Sequence, residues 1–121
     1  MTALLPALLA LQLASAPAAE FTPVRVADSD IRGAVRALNS GEWQAALHFT
    51  DEALDGAPRT SVRVAALTNR CIALHHLGDA AGAVEACEAA AELAPDNAVV
   101  LANLSATRTQ YAGETTGAGG N

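Results

Sequence analysis

The sequence predicts an all-α protein, and three observations predict it. Apolar residues recur at helical spacing through residues 28–112. Small-residue punctuation (Ser40-Gly41, Gly56-Ala57-Pro58, Gly78-Asp79, Ala94-Pro95-Asp96) cuts that region into helix-length pieces. The one strand-like stretch, EFTPVRVA at residues 20–27, has no second strand to pair with and reads as an extended lead-in.

A chain of 121 residues has room for one domain. Apolar residues make up 51% of it but aromatics only 3%, so the core must be built of Ala, Leu and Val through many small contacts. All seven basic residues are Arg, and the net charge is −6. That balance argues against general binding to nucleic acid or to an anionic membrane, both of which need a basic patch.

Residues 1–18 read as a signal peptide. Met1 to Ala19 has no charged side chain, TALLPALLALQLA has the length of an apolar h-region, and Ala16-Pro17-Ala18 fits the small-x-small rule for cleavage. Cleavage after Ala18 is the first choice and after Ala19 the second. The missing Lys or Arg before the run departs from the usual pattern. Pro6 and Pro17 interrupt a run barely long enough to span a bilayer, which favours cleavage over anchoring. An exported protein is expected, periplasmic or secreted, with no stable membrane insertion after cleavage.

Five helices follow the lead-in. Asp28-Ser29-Asp30 supplies N-cap candidates for the first, which carries Ile31, Ala34, Val35 and Leu38 and ends at Asn39-Ser40-Gly41. The second, about Glu42 to Asp55, has Trp43, Ala46, Leu47, Thr50, Ala53 and Leu54 on its apolar stripe. Thr60-Ser61 is placed to cap the third, with Val64, Leu67, Cys71, Leu74 and Leu77 inward. The fourth, about Ala80 to Ala94, turns Ala83, Val84, Cys87, Ala90, Ala91 and Leu93 to the core. The fifth, from Asn97 or Ala98 to Ala112, carries Val100, Leu101 and Leu104, with Thr107, Arg108 and Gln110 expected on a wetted outer face. Residues 113–121, GETTGAGGN, have nothing to bury and are expected to be disordered.

These elements repeat. Gly41 to Gly78, Ala46 to Ala83, Ala53 to Ala90 and Pro58 to Pro95 are each offset by 37 residues, while Leu67 to Leu101 and Asn69 to Asn103 are offset by 34. The three extra residues are expected in the connection Arg59-Thr60-Ser61, where a loop absorbs them. A helix-turn-helix period of this length, with small residues on the second helix and a closing Pro, resembles the tetratricopeptide repeat (TPR). The matching residues are Gly41-Glu42-Trp43, Ala46, Ala53 and Pro58 in one copy. In the next they are Asn69-Arg70-Cys71, Gly78-Asp79, Ala83, Ala90 and Pro95-Asp96-Asn97. Thr50 and Cys87 stand where the family places a large aromatic, and Ala80 where Trp43 stands in the first copy. The resemblance, to small exported bacterial TPR proteins, implies an α-solenoid of two repeats plus a C-terminal capping helix. So short a stack is near the lower limit of self-sufficiency, and a disulfide, a partner or a homo-oligomer can supplement its core.

Cys71 lies seven residues before Gly78 and Cys87 nine after it, so an antiparallel hairpin brings them near each other. In an oxidising compartment they can form a disulfide; otherwise they are two buried thiols. Cys71, His75 and Cys87 lack any conventional metal-ligand spacing, so no metal site is expected. Nor does the chain carry a phosphate loop, a nucleophile elbow or paired catalytic carboxylates, which leaves an enzyme or a cofactor without support.

By resemblance, the module is expected to bind a peptide or partner helix on a concave face lined by the first helix of each repeat, as a scaffold or adaptor in the bacterial envelope. The face carries Arg32, Thr68, Asn69, Ile72, His76 and Asn103, along with Ile31, Val35 and Ala106. Asn69 and Asn103 stand out because a carboxamide holds a peptide backbone with donor and acceptor together. No Lys is present to clamp a C-terminal carboxylate, and Arg32 is the only basic candidate. The alternative is a structural subunit that completes its stack by self-association, without a separate ligand.

Overall fold

The computed structural model describes residues 20–56 and 58–119, and beyond Ala112 the backbone alone. The expected signal peptide lies outside the described residues. Five helices and no strand are present among them: α1 Ser29–Asn39, α2 Trp43–Asp55, α3 Thr60–His76, α4 Ala80–Leu93 and α5 Ala98–Gly119. None is long and apolar enough to cross a membrane.

Each helix packs on the next, and α1–α3 and α3–α5 also touch, whereas α2 and α4 do not. The first helices of the successive pairs therefore form one row, α1, α3 and α5, with α2 and α4 behind it. The central helix α3 is the only one that touches all the others.

The turns after α1 and α3 are built alike. Gly41 and Gly78 take φ values of 72° and 87°, the left-handed region that glycine enters without a Cβ clash. After α1, the Glu42 amide donates to Ala37 O and the Gly41 amide to Leu38 O. After α3, the Asp79 amide donates to Leu74 O and the Gly78 amide to His75 O. These are the bonds of a Schellman C-cap, and they recur at the 37-residue offset read from the sequence.

The N-termini are less uniform. The Asp28 carboxylate accepts from the amides of Asp30 and Ile31, Asp79 from Gly82, and the Asn97 side chain from Val99 and Val100. The third helix begins without a side-chain cap; Arg59 occupies the cap position and its Nε donates to the Ser61 hydroxyl instead. Nor do the three extra residues of the first interval lie in a loop. They add a first turn to α3, which places Val62 in a cluster with Ile31, Val35, Ala53, Ala65 and Ala66. Burial of Val62, 3% exposed, favours the extra turn over a longer connection.

Several inward assignments change at the far end. Leu93 is 39% and Leu101 42% exposed, because no helix among the described residues packs over them. Thr107, expected in solvent, is buried, and its hydroxyl donates to the Asn103 and Leu104 carbonyls. The helical period that buries Val100, Asn103 and Leu104 carries Thr107 to the same face. The α5 backbone continues to Gly119, past the expected end at Ala112. No Pro interrupts residues 113–119, so the intrahelical ladder meets no missing donor there.

Candidate functional site

Two buried carboxamides organise the α1/α3/α5 face. Asn69 on α3 is fully buried and Asn103 on α5 is 1% exposed. A buried amide needs partners for both its oxygen and its nitrogen. Neither residue finds them on a neighbouring helix; the extended lead-in supplies both.

The Thr22 amide donates to Asn103 Oδ1 (2.9 Å), and Asn103 Nδ2 donates back to the Thr22 carbonyl (2.8 Å). Two residues on, the Val24 amide donates to Asn69 Oδ1 (2.8 Å) and Asn69 Nδ2 to the Val24 carbonyl (2.9 Å). Each asparagine thus plays the part of a neighbouring strand, exchanging both backbone bonds with one residue. Alternate residues of an extended chain present their amide groups to the same side, so the two-residue step matches two asparagines 34 positions apart. Pro23 falls between the clamped residues, where its missing N–H costs nothing.

Side chains of the lead-in fill the gaps beside the clamps. Phe21 packs on the cluster of Ala37, Leu38, Ala46, Ile72 and Ala73, with its ring 4.5 Å from that of His75. Val24 and Val26 pack on the cluster around Ile31 and Val35. His76 stacks flat on Trp43, centroids 3.9 Å apart and 8° between planes, and lies 5.1 Å from His75. Desolvation in this stack, and then repulsion from His75, push the His76 pKa below the ordinary histidine value.

The helical position equivalent to Asn69 and Asn103 is occupied on α1 by Arg32, 37 residues before Asn69. There the clamping stops. The Asp28 amide donates to the Val26 carbonyl (2.9 Å), and the chain turns into α1. Around the turn, Arg25 of the lead-in and Arg32 and Arg36 of α1 border an open cleft that Ile31 and Val35 also line. Three of the chain's seven Arg meet here, and none of the three forms an ion pair among the described residues.

The energetics of the seated segment are close to balance. Four hydrogen bonds contribute about 4 kcal/mol net. Partial burial of Phe21, Val24 and Val26 contributes on the order of another 4 kcal/mol. Ordering residues 21–26 costs roughly 8 kcal/mol of conformational entropy.

The other residues of the expected face divide by burial. Thr68 is fully buried and its hydroxyl is used internally, donating to the Val64 carbonyl (2.8 Å). Ile72 is 3% exposed and serves the Phe21 cluster, while Arg32 and His76 remain accessible. Sequence reasoning missed that the lead-in is itself the occupant of the face. The available signal was its alternation of β-branched residues with no strand to pair with.

Behind the face, Cys71 on α3 and Cys87 on α4 are joined by a disulfide with Cα atoms 5.3 Å apart, and both are fully buried. Neither sulfur is therefore a thiolate ligand, and no cluster of three or more His, Cys, Asp or Glu suited to a metal occurs among the described residues. No protein-family model matches the chain, and no curated protein or solved structure is significantly similar to it.

Proposed function

We propose that the chain is a non-catalytic interaction module, a TPR-like α-solenoid of two repeats and a capping helix, that holds an extended segment of a partner protein along α1, α3 and α5. One observation carries the reading: Asn69 and Asn103 grip an extended backbone by donor and acceptor at a two-residue step. Main-chain bonding of this kind supplies affinity for extended segments, and pockets for alternate side chains supply selectivity. The recurrence of the glycine turn at the 37-residue offset supports the repeat architecture. A buried disulfide suits an exported protein acting in an oxidising compartment, the envelope or beyond. The reading invokes no cofactor, metal or catalytic group.

The test is photocrosslinking from Arg32 in the native envelope, comparing the wild-type protein with Asn69→Ala/Asn103→Ala. A captured partner should depend on both asparagines. Equal capture by the double variant sinks the groove assignment.

The second reading is self-association, favoured by the uncovered end of the stack. Leu93 on α4 and Val99 and Leu101 on the flanks of α5 are each about 40% exposed. A second copy seated on that end would continue the row of helices. Light scattering distinguishes the two: a monomer at every concentration disfavours self-association, and a dimer abolished by Leu101→Glu supports it.

A further inference from the structure

We infer that residues 20–27 are a built-in ligand that closes the groove, and that a partner opens it by presenting an extended segment of the same pattern with acidic residues at the Arg25 and Ala27 positions, in the cleft of Arg32 and Arg36. The inference rests on the groove reading above and specifies both the ligand and its control.

The seated segment defines what the groove accepts. Its first requirement is an aromatic at the Phe21 position, set against His75 and the Ile72 cluster. Residues at the Thr22 and Val24 positions must each have an N–H, because each exchanges two bonds with an asparagine. The position between them is indifferent to Pro. At the Val24 and Val26 positions, β-branched side chains meet the cluster of Ile31 and Val35. The groove therefore selects aromatic-x-Pro or x-Val-x-Val, with residues 22 and 24 read through the backbone.

The lead-in cannot use the third step of the row. Having filled the steps at Asn103 and Asn69, it must turn at Val26–Asp28 to enter α1, and Arg32 is left facing the cleft with Arg36. A segment from another chain is under no such constraint. It can continue straight past the Val26 position and bring carboxylates at the Arg25 and Ala27 positions to Arg32 and Arg36, which otherwise border the cleft without an ion pair among the described residues. Arg favours carboxylate by paired, charge-assisted bonds. The competitor thus gains a contact denied to the built-in segment. The lead-in in turn has the advantage of being tethered beside the site, which lowers apparent affinity for any competitor.

The experiment uses the full chain and two fluorescein-labelled peptides, EFTPVRVA and EFTPVEVE. Phe21→Asp/Val24→Pro unseats the lead-in without altering the groove. This variant should bind EFTPVEVE about twofold or more tighter than the wild-type protein does, because a lead-in seated near balance occupies about half of the grooves. It should also prefer EFTPVEVE to EFTPVRVA, a preference lost on adding Arg32→Ala. Adding Asn69→Ala/Asn103→Ala should abolish both. Equal binding by wild type and the unseated variant overturns the built-in ligand and leaves the groove reading intact. Absence of binding by an unseated variant that keeps its helical circular dichroism and its disulfide overturns both.

Hydrogen exchange on the unmodified protein decides the matter if the variant does not fold. Thr22 and Val24 amides should exchange more slowly than in free EFTPVRVA but well before the amides of α3. Exchange as slow as α3 makes the lead-in a permanent part of the fold, and exchange as fast as the free peptide leaves it undocked; either overturns the inference.

Discussion

Asn69 and Thr68 are adjacent, equally buried, and opposite in what they offer. The Thr68 hydroxyl is consumed within its own helix by the Val64 carbonyl, whereas every polar atom of the Asn69 carboxamide is spent on a segment 45 residues away. Asn69→Ala should therefore lower the unfolding free energy by about 2 kcal/mol, the net value of two hydrogen bonds, while Thr68→Val costs less. Asn69→Asp keeps the acceptor but turns a carboxylate toward the Val24 carbonyl, so near neutral pH it should cost at least as much as alanine. Urea titrations of the three variants check the order. The His76 stack adds a pH dependence. Folded His76 takes up its proton less readily than the unfolded chain does, so the unfolded state gains protons first as acid is added. Stability from this group is complete above the ordinary histidine value of about 6.5 and is lost as the pH falls through it toward the lowered native value. The urea midpoint should be lower at acidic than at neutral pH, and His76→Phe should shrink the difference; a wild-type midpoint insensitive to pH rules the effect out.

At the level of elements, the turns were the most legible part of the sequence because their chemistry is local. A left-handed C-cap after a helix demands glycine almost regardless of the rest of the fold, and Gly41 and Gly78 both answer that demand. Gly78 has open space around it, so Gly78→Ala tests backbone strain alone. It should destabilise the protein by about 1–2 kcal/mol, measured by thermal or urea unfolding. Helix starts were less legible: Thr60-Ser61 looked like a cap, but tertiary burial of Val62 drew both residues into an additional turn of α3. The lead-in was the least legible element. Its role depends on partners 45 and 81 residues away in sequence, and the alternation of β-branched residues marks an extended segment without naming those partners. Asn69 and Asn103 could nevertheless be singled out beforehand, because the 34-residue offset between them matches that of Leu67 and Leu101 and a carboxamide is suited to hold a backbone.

For the whole molecule, stability converges on α3. It touches every other helix, and the Cys71–Cys87 disulfide ties it to α4. The bridge closes a loop of 16 residues, for which restriction of the unfolded chain is worth about 3 kcal/mol. Because α3 contacts all the rest, Cys71→Ala/Cys87→Ala should move the entire unfolding transition by that amount rather than melt one hairpin. Coincident circular dichroism and fluorescence transitions would establish this, whereas two separated transitions would show that α1 and α2 fold independently of the bridge. Leu93 on α4 and Leu101 on α5 stay exposed because no helix among the described residues packs over them, a property that composition conceals and only the packing order exposes.

The Trp43–His76 stack has an optical consequence. Trp43 is the chain's single tryptophan, and its indole lies flat against an imidazole that neighbours Phe21 of the lead-in. Indole emission is quenched by contact with a protonated imidazole and shifts with solvation. The protein therefore carries its own reporter beside the lead-in, one whose emission would change if residues 20–27 left their seat, without any added label.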